Sequence, residues 1–146
     1  MNYWDELLKF NPNKKVKKKC FYLCGRMSGL PDFNYPRFFE VEKLVKKLGF
    51  RVINTARFHN GNTRKEWSFY LKHDISILMT KKIDGLVLIE GWEKGKGTLI
   101  EVFLAKTVLG IPLYKFREDD TLGLYDPTQL IWSYLSNGEF RMTECK

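Results

Sequence analysis

Two carboxylates occupy positions that suit catalysis. Glu101 follows a glycine-rich loop near the predicted start of a helix, where the helix dipole would keep it ionised and able to act as a nucleophile. A structural alternative is equally open, because Thr98-Leu99-Ile100-Glu101 fits a capping box that closes the helix start. Asp74 falls on the apolar stripe of another predicted helix, so it is either paired in the core or borders a pocket, where perturbed carboxylates do acid–base work. Asp84, at the start of a strand, is interpreted as structural.

Two glycine-rich loops have the chemistry to bind an anion. In Gly25-Arg26-Met27-Ser28-Gly29 the glycines permit close backbone approach, and Arg26 and Ser28 can reach anionic oxygens. The second loop, Gly91-Trp92-Glu93-Lys94-Gly95-Lys96-Gly97-Thr98, ends at a predicted helix N-terminus. Neither loop matches the Walker A or the G-x-G-x-x-G pattern, and each also fits a simple tight turn.

The elements that would position these groups alternate between strand and helix. Apolar runs predict strands over 16–24, 50–54, 83–89 and 111–116, and helical spacing predicts helices over 38–48, 64–80, 99–109 and 126–135, with a polar loop over 57–63. This order predicts one doubly wound α/β domain over 1–146, Rossmann- or flavodoxin-like, with a parallel sheet of four to five strands. Ligands of such sheets bind at the carboxyl ends of the strands, where both glycine-rich loops fall.

Composition limits the class of protein. With 146 residues and 44% hydrophobic residues the chain can build a core, and it has no apolar run long enough for a membrane span. The N-terminal sequence is too acidic for a secretory signal, so we expect a cytoplasmic protein with reduced cysteines. His59 and His73 lack ligand spacing, and each is interpreted as a core or solvated histidine. The sequence therefore predicts neither a metal site nor a cofactor.

The net charge of +8 admits anionic partners. Part of it lies in five lysines before the first strand, at 14, 15 and 17–19. These lysines are more often a solvated leader than a nucleic-acid contact, and a phosphorylated small molecule also fits the charge. We expect residues 1–15 to be a basic leader or short helix and residues 117–146 to be a helical tail.

Several motifs together resemble the nucleoside 2-deoxyribosyltransferase-like superfamily, most closely a little-characterised branch common in phages and bacteria. The resemblance covers roughly residues 18 to 116. Its motifs are Tyr22-Leu23-Cys24-Gly25-Arg26-Met27-Ser28-Gly29 with Phe33-Asn34, His73-Asp74, Ile83-Asp84-Gly85-Leu86-Val87, the Gly91-Trp92 loop, and Gly97-Thr98-Leu99-Ile100-Glu101-Val102-Phe103-Leu104-Ala105.

The resemblance implies cleavage or exchange of an N-glycosidic bond in a nucleoside or nucleotide. Glu101 would attack the anomeric carbon, and water or another base would release the covalently bound sugar. Asp74 would contact the sugar or assist departure of the base, and Tyr22 would orient the nucleophile. Sugar hydroxyls or a 5′-phosphate would lie in the two loops, so the expected ligand-binding residues are Gly25, Arg26, Met27, Ser28, Gly29, Asn34, Trp92, Gly97 and Thr98.

The sequence also departs from the transferases that act on free nucleosides. In those transferases the loop before the glutamate contains aspartate and serine, whereas the corresponding loop here contains Lys94 and Lys96. The two lysines favour a phosphorylated substrate, unless both face water. Relatives often complete their sites across a dimer, so a homodimer or higher homo-oligomer is expected, with Trp132 and Tyr134 covering the pocket of a neighbouring subunit. The alternative function is a module that binds a nucleotide signal without cleaving it.

Overall fold

A five-stranded, mostly parallel sheet forms the centre of the protein in a computed structural model that describes residues 18–61, 65–126, 129–134 and 136–145. The strand order is β2-β1-β3-β4-β5, with β1–β4 parallel and β5 antiparallel to β4. The strands are β1 (Cys20–Cys24), β2 (Arg51–Ile53), β3 (Gly85–Leu88), β4 (Leu113–Phe116) and β5 (Leu122–Tyr125). The predicted α/β class with a parallel sheet is therefore confirmed.

Helices follow three of the strands. They are α1 (Tyr35–Lys47), α2 (Ala56–Asn60), α3 (Trp67–Thr80) and α4 (Lys96–Phe103), the last continuing as a π-helical segment over Leu104–Val108. Short 3-10 turns cover Pro31–Asn34 and Trp92–Lys94. A separate antiparallel hairpin, β6 (Gln129–Tyr134) and β7 (Phe140–Cys145), ends the described chain.

The alternation of side chains along β1 assigns residues to the two faces of the sheet. Phe21 and Leu23 belong to the core cluster that contains the buried face of α1. Tyr22 and Cys24 point the other way, into the cluster that α3 and α4 close with Leu78, Leu99 and Val102. This second face carries the candidate catalytic groups, because Asp74 lies on α3 and Glu101 on α4.

Three local predictions are wrong. Part of the polar loop predicted over 57–63 is helix α2, whose first residue, Ala56, is fully buried. The helix expected over 126–135, and with it the helical tail over 117–146, is replaced by β5 and the β6–β7 hairpin. The capping box is also wrong, because α4 begins one turn early with Gly95 as its N-cap and no side-chain cap hydrogen bond.

Two further expectations concern the N-terminal leader and a membrane span. The basic leader over 1–15 lies outside the described residues. No helix in the described part of the chain has the length and apolarity needed to span a membrane.

Candidate functional site

A cavity of about 400 Å³ opens at the carboxyl ends of the parallel strands. Its walls come from the loop after β1, the 3-10 turn before α1, helices α2 and α3, and the start of α4. The side chains that matter most for chemistry are Arg26, Ser28, Phe33, His59, Lys65, Trp67, Asp74, Lys94, Lys96, Thr98 and Glu101. Cavities of this size typically hold small molecules.

Glu101 is a buried carboxylate in the wall of this cavity. Burial, followed by the nearby charge of Asp74, raises the pKa of Glu101 to about 8. The Cys24 thiol, which donates a hydrogen bond to Glu101, and the nearby Tyr22 hydroxyl act in the opposite direction and lower this pKa. Glu101 is therefore mostly protonated in the free cavity near neutral pH, and it becomes a carboxylate only as the pH approaches and passes 8.

Two side chains from β1 support Glu101 from inside the core. The thiol of Cys24 lies 3.2 Å from Glu101 Oε2 and donates a hydrogen bond to it, and burial raises the pKa of this thiol well above its usual value. The Tyr22 hydroxyl has no hydrogen bond of standard geometry among the described residues, but it lies close enough to Glu101 to lower the pKa of that carboxyl group. Burial and the charge of Glu101 hold the pKa of Tyr22 well above its usual value.

Asp74 lies between two histidines. Nε2 of His59 is 2.9 Å from both carboxylate oxygens of Asp74, and Nδ1 of His73 is 3.0 Å from Oδ1. Each of the three residues has one atom that could ligate a metal ion, and in the described chain these atoms lie within 4.8 Å of one another. Hydrogen bonds already account for this arrangement, because each imidazole N–H has a carboxylate oxygen to donate to, so we assign no metal ion here. Asp74 is therefore both paired and at a pocket, which were the two alternatives open from the sequence.

Positive charge surrounds the cavity. Arg26, Lys65, Lys94 and Lys96 all line it, and none forms an ion pair with a carboxylate within the described residues. The Lys96 ammonium lies 5.2 Å from the centroid of the Trp67 ring. These cations suit a ligand that carries an anionic group.

The 3-10 turn that presents Phe33 to the cavity is strained. Asp32, Phe33 and Asn34 have φ values of 49°, 52° and 60°, a run of left-handed residues without glycine. Nδ2 of Asn34 donates to the Arg26 carbonyl oxygen at 3.0 Å and ties the turn to the glycine loop after β1. Phe33 remains 46% exposed and Trp67 42%, so both present flat apolar surfaces at the cavity.

The structure brings together most of the site residues expected from the sequence. Glu101, Asp74, Gly25, Arg26, Met27, Ser28, Gly97 and Thr98 all line the cavity. Four do not line it: Tyr22 is buried behind Glu101, Gly29 lies beside the Arg26 side chain, Asn34 supports the loop, and Trp92 is a core residue. Asp84 is structural as predicted, because its Oδ2 accepts a hydrogen bond from the Cys20 amide at 2.8 Å.

Sequence reasoning missed several residues of the site, among them Phe33, Lys65 and Trp67 in the cavity wall and two residues that contact the candidate carboxylates. His59 was interpreted as a core or solvated histidine, but it lines the cavity and contacts Asp74. Cys24 was noted only as a thiol, but it contacts Glu101. Alternation along β1 was the signal available for Cys24, because it places Cys24 on the same sheet face as Tyr22.

Fold and site together define a doubly wound α/β protein with a carboxylate-lined cavity where such sheets bind ligands. Residues 19–114, about two thirds of the chain, match the family described as a domain of unknown function, DUF4406, and the chain belongs to this family. No curated protein and no solved structure gave a significant match.

Proposed function

We propose that this protein breaks the N-glycosidic bond of a nucleoside or nucleotide with Glu101 as the nucleophile. The carboxylate bonds to C1′ of the sugar, and the base leaves with the electron pair of the broken C–N bond. Water then hydrolyses the sugar ester, or a second base takes the sugar and completes a transfer. The single observation that carries the proposal is the buried Glu101 carboxylate in the cavity wall. It accepts a hydrogen bond from the Cys24 thiol, and the charge of Asp74 acts on it.

Three features of the site support this substrate class. The carboxylates of Asp74 and Glu101 suit a reaction centre that becomes positively charged, as an oxocarbenium-like sugar does. Phe33 and Trp67 offer flat surfaces on which a planar base can stack. The resemblance noted from the sequence assigns roles to Tyr22, Asp74 and Glu101, and the charges of both carboxylates act on Tyr22.

The cations of the cavity favour a phosphorylated substrate within this class. A 5′-monophosphate brings two negative charges near Arg26, Lys94 and Lys96, which lack carboxylate partners within the described residues. A free nucleoside has no anionic group that could pair with these cations.

A panel of nucleosides and their 5′-monophosphates, analysed by chromatography for released base, tests the proposal. We expect base release by the wild-type protein, loss of release in Glu101→Gln, and an acid-quenched sugar adduct seen by mass spectrometry in the wild type but not in Glu101→Gln. The exposed Glu93→Gln serves as the matched control and should release base like the wild type. Full activity in Glu101→Gln would show that Glu101 is not the nucleophile.

A binding module that leaves its nucleotide intact is the second candidate. One observation favours it: with its pKa raised to about 8, Glu101 in the free cavity is mostly a neutral hydrogen-bond donor at pH 7. This candidate predicts a ligand-induced rise in melting temperature with the ligand recovered unaltered after long incubation.

The proposal also includes the assembly and the location of the protein. We infer a cytoplasmic homodimer or higher homo-oligomer in which the C-terminal region contributes to a neighbouring site. Within one chain Trp132 packs edge-on against Phe103, 5.3 Å between ring centroids. Light scattering coupled to size-exclusion chromatography measures the oligomeric state.

A further inference from the structure

Helices α2 and α3 are joined by two pairs of adjacent residues. Phe58 stacks on the ring of His73, with 3.5 Å between centroids and 7° between planes. The next residue, His59, contacts Asp74, the neighbour of His73, through Nε2 at 2.9 Å from each carboxylate oxygen. Each pair fixes the geometry of the other, so both imidazoles are held against one carboxylate.

The three polar groups form a continuous path from the surface to the cavity. The side chain of His73 is 28% exposed, that of Asp74 only 6%, and that of His59 10%. His59 and Asp74 line the cavity, whereas His73 is not among the cavity-lining residues. Its Nδ1 is 3.0 Å from Asp74 Oδ1, so hydrogen bonds join every step of the path.

We propose that His73, Asp74 and His59 form a proton relay, with His59 as the donor to the departing base. This inference rests on the proposed function. When the C1′–N bond breaks, its electron pair goes to the base nitrogen, and the His59 imidazolium gives that nitrogen its proton. When water later attacks C1′, the bond between C1′ and Glu101 breaks and its electron pair stays on the carboxylate. The attacking water releases one proton to solvent, and His73 and Asp74 pass one solvent proton to the neutral His59, so no net proton is consumed.

The surroundings of the relay fit this role. Within the described residues Asp74 forms ion pairs only with the two histidines, so its charge is available to stabilise an imidazolium. The Tyr70 ring lies 4.6 Å from the His59 ring and closes one side. Glu101, Tyr22, Cys24 and Tyr35 are the other titratable groups in the described chain that respond to the charge of Asp74. None of these four carries a positive charge that would repel a protonated His59.

A pair of substrates separates a proton donor from a structural residue. The first is a purine nucleoside 5′-monophosphate, and the second is its N7-methyl derivative, whose base is already cationic and leaves without receiving a proton. We expect His59→Gln to slow release from the first substrate by about 100-fold or more, the usual contribution of a general acid, and from the second by less than about 5-fold. His73→Gln should show the same preference with a smaller loss, and the exposed Lys72→Gln should behave as wild type.

Retained activity on the methylated substrate also shows that each variant is folded and has its nucleophile. Equal losses on both substrates would overturn the relay and leave His59 a structural residue. Loss of activity with a chelator and recovery with zinc would overturn it in favour of a metal site. If the wild type releases base from neither substrate but binds both, the proposed function fails and the relay fails with it.

Discussion

The Cys24 thiol and the Glu101 carboxylate are 3.2 Å apart and connect the end of strand β1, between β2 and β3 in the sheet, to the second turn of α4. Both side chains are buried, so the contact is formed in a low-dielectric environment where a hydrogen bond to a charged group has a large effect. It favours the ionised carboxylate, whereas burial and Asp74 favour the protonated one. The balance between these effects sets the pH at which Glu101 can act as a nucleophile.

The pH dependence of turnover should report this balance. With the N7-methyl substrate, which requires no proton donor, kcat/KM should rise about tenfold per pH unit and level off above about pH 8, the pKa of Glu101 in the free protein. The measurement is initial rates of base release from pH 6 to 9, corrected for uncatalysed decay. A profile that is flat over this range would contradict a Glu101 nucleophile with a raised pKa.

Replacement of Cys24 should move that profile. Cys24→Ala removes the donor that lowers the pKa of Glu101, so the rising limb should shift to higher pH and activity at pH 7 should fall. Cys24→Ser is the matched control, because its hydroxyl can donate to the same carboxylate oxygen and should keep the limb near its original pH. Identical profiles for the two variants would show that the contact has no role in ionising Glu101.

Glu101 should also make the stability of the protein depend on pH. Its pKa is about 8 when folded and close to 4.5 when exposed, so between these values the folded protein retains a proton that the unfolded chain has released. Stability is therefore greatest below pH 4.5 for this group and falls as the pH rises to 8, by up to about 5 kcal/mol.

Glu101→Gln removes this dependence. We expect its free energy of unfolding to exceed that of the wild type by several kcal/mol more at pH 9 than at pH 5. Urea denaturation at the two pH values measures the difference, and Glu93→Gln, which changes an exposed carboxylate, should show no such change with pH. An equal effect of Glu101→Gln at both pH values would mean that burial does not raise the pKa of Glu101.

Gly85 is predicted to be essential for packing between β3 and its neighbours. A Cβ atom there would lie 2.6 Å from Cε2 of Tyr114 and 2.7 Å from Cε1 of Phe21, two rings already packed edge to face. Gly85→Ala should therefore lower the free energy of unfolding by about 1–3 kcal/mol, the usual cost of overpacking. Thermal unfolding measures it, with Gly61→Ala as a control whose Cβ has its nearest contact at 3.7 Å. Equal melting temperatures would show that the rings move aside without cost.

The parts of the fold that were predictable depend on local pattern. The buried runs at Cys20–Cys24 and Gly85–Leu88 appear in the sequence as unbroken apolar segments, which is typical of parallel strands covered on both faces. Glu101 and Asp74 were found because glycine spacing and helical periodicity reveal which loop or face a residue occupies. These signals need no knowledge of tertiary contacts.

The parts that were missed depend on contacts between distant residues. His59 belongs to a five-residue helix that is too short to show periodicity, and its partner Asp74 is fifteen positions away. Asp126-Pro127 resembles a helix start, but the strand that follows it is held by pairing with β7, and local sequence does not show such pairing. Thr98 and Glu101 match a capping box by type, but α4 starts earlier, at Lys96.

The cations of the cavity lead to the last prediction. Lys94 and Lys96 line the cavity without carboxylate partners in the described chain, so each can contribute a charge-assisted hydrogen bond to a phosphate. The double change Lys94→Gln with Lys96→Gln should weaken binding of a nucleoside 5′-monophosphate by about 100-fold or more, because each lost hydrogen bond to a charged group contributes about 1.5–3 kcal/mol. Binding of the unphosphorylated nucleoside should change by less than about 3-fold.

Titration calorimetry on the Glu101→Gln background measures both affinities without turnover. Lys43→Gln and Lys72→Gln, which change two exposed lysines outside the cavity, control for the general loss of positive charge. If the double variant weakens both ligands equally, the lysines hold the loop rather than the phosphate. If the controls weaken the monophosphate as strongly as the double variant, long-range charge rather than a phosphate site explains the preference, and that effect should vanish at high ionic strength.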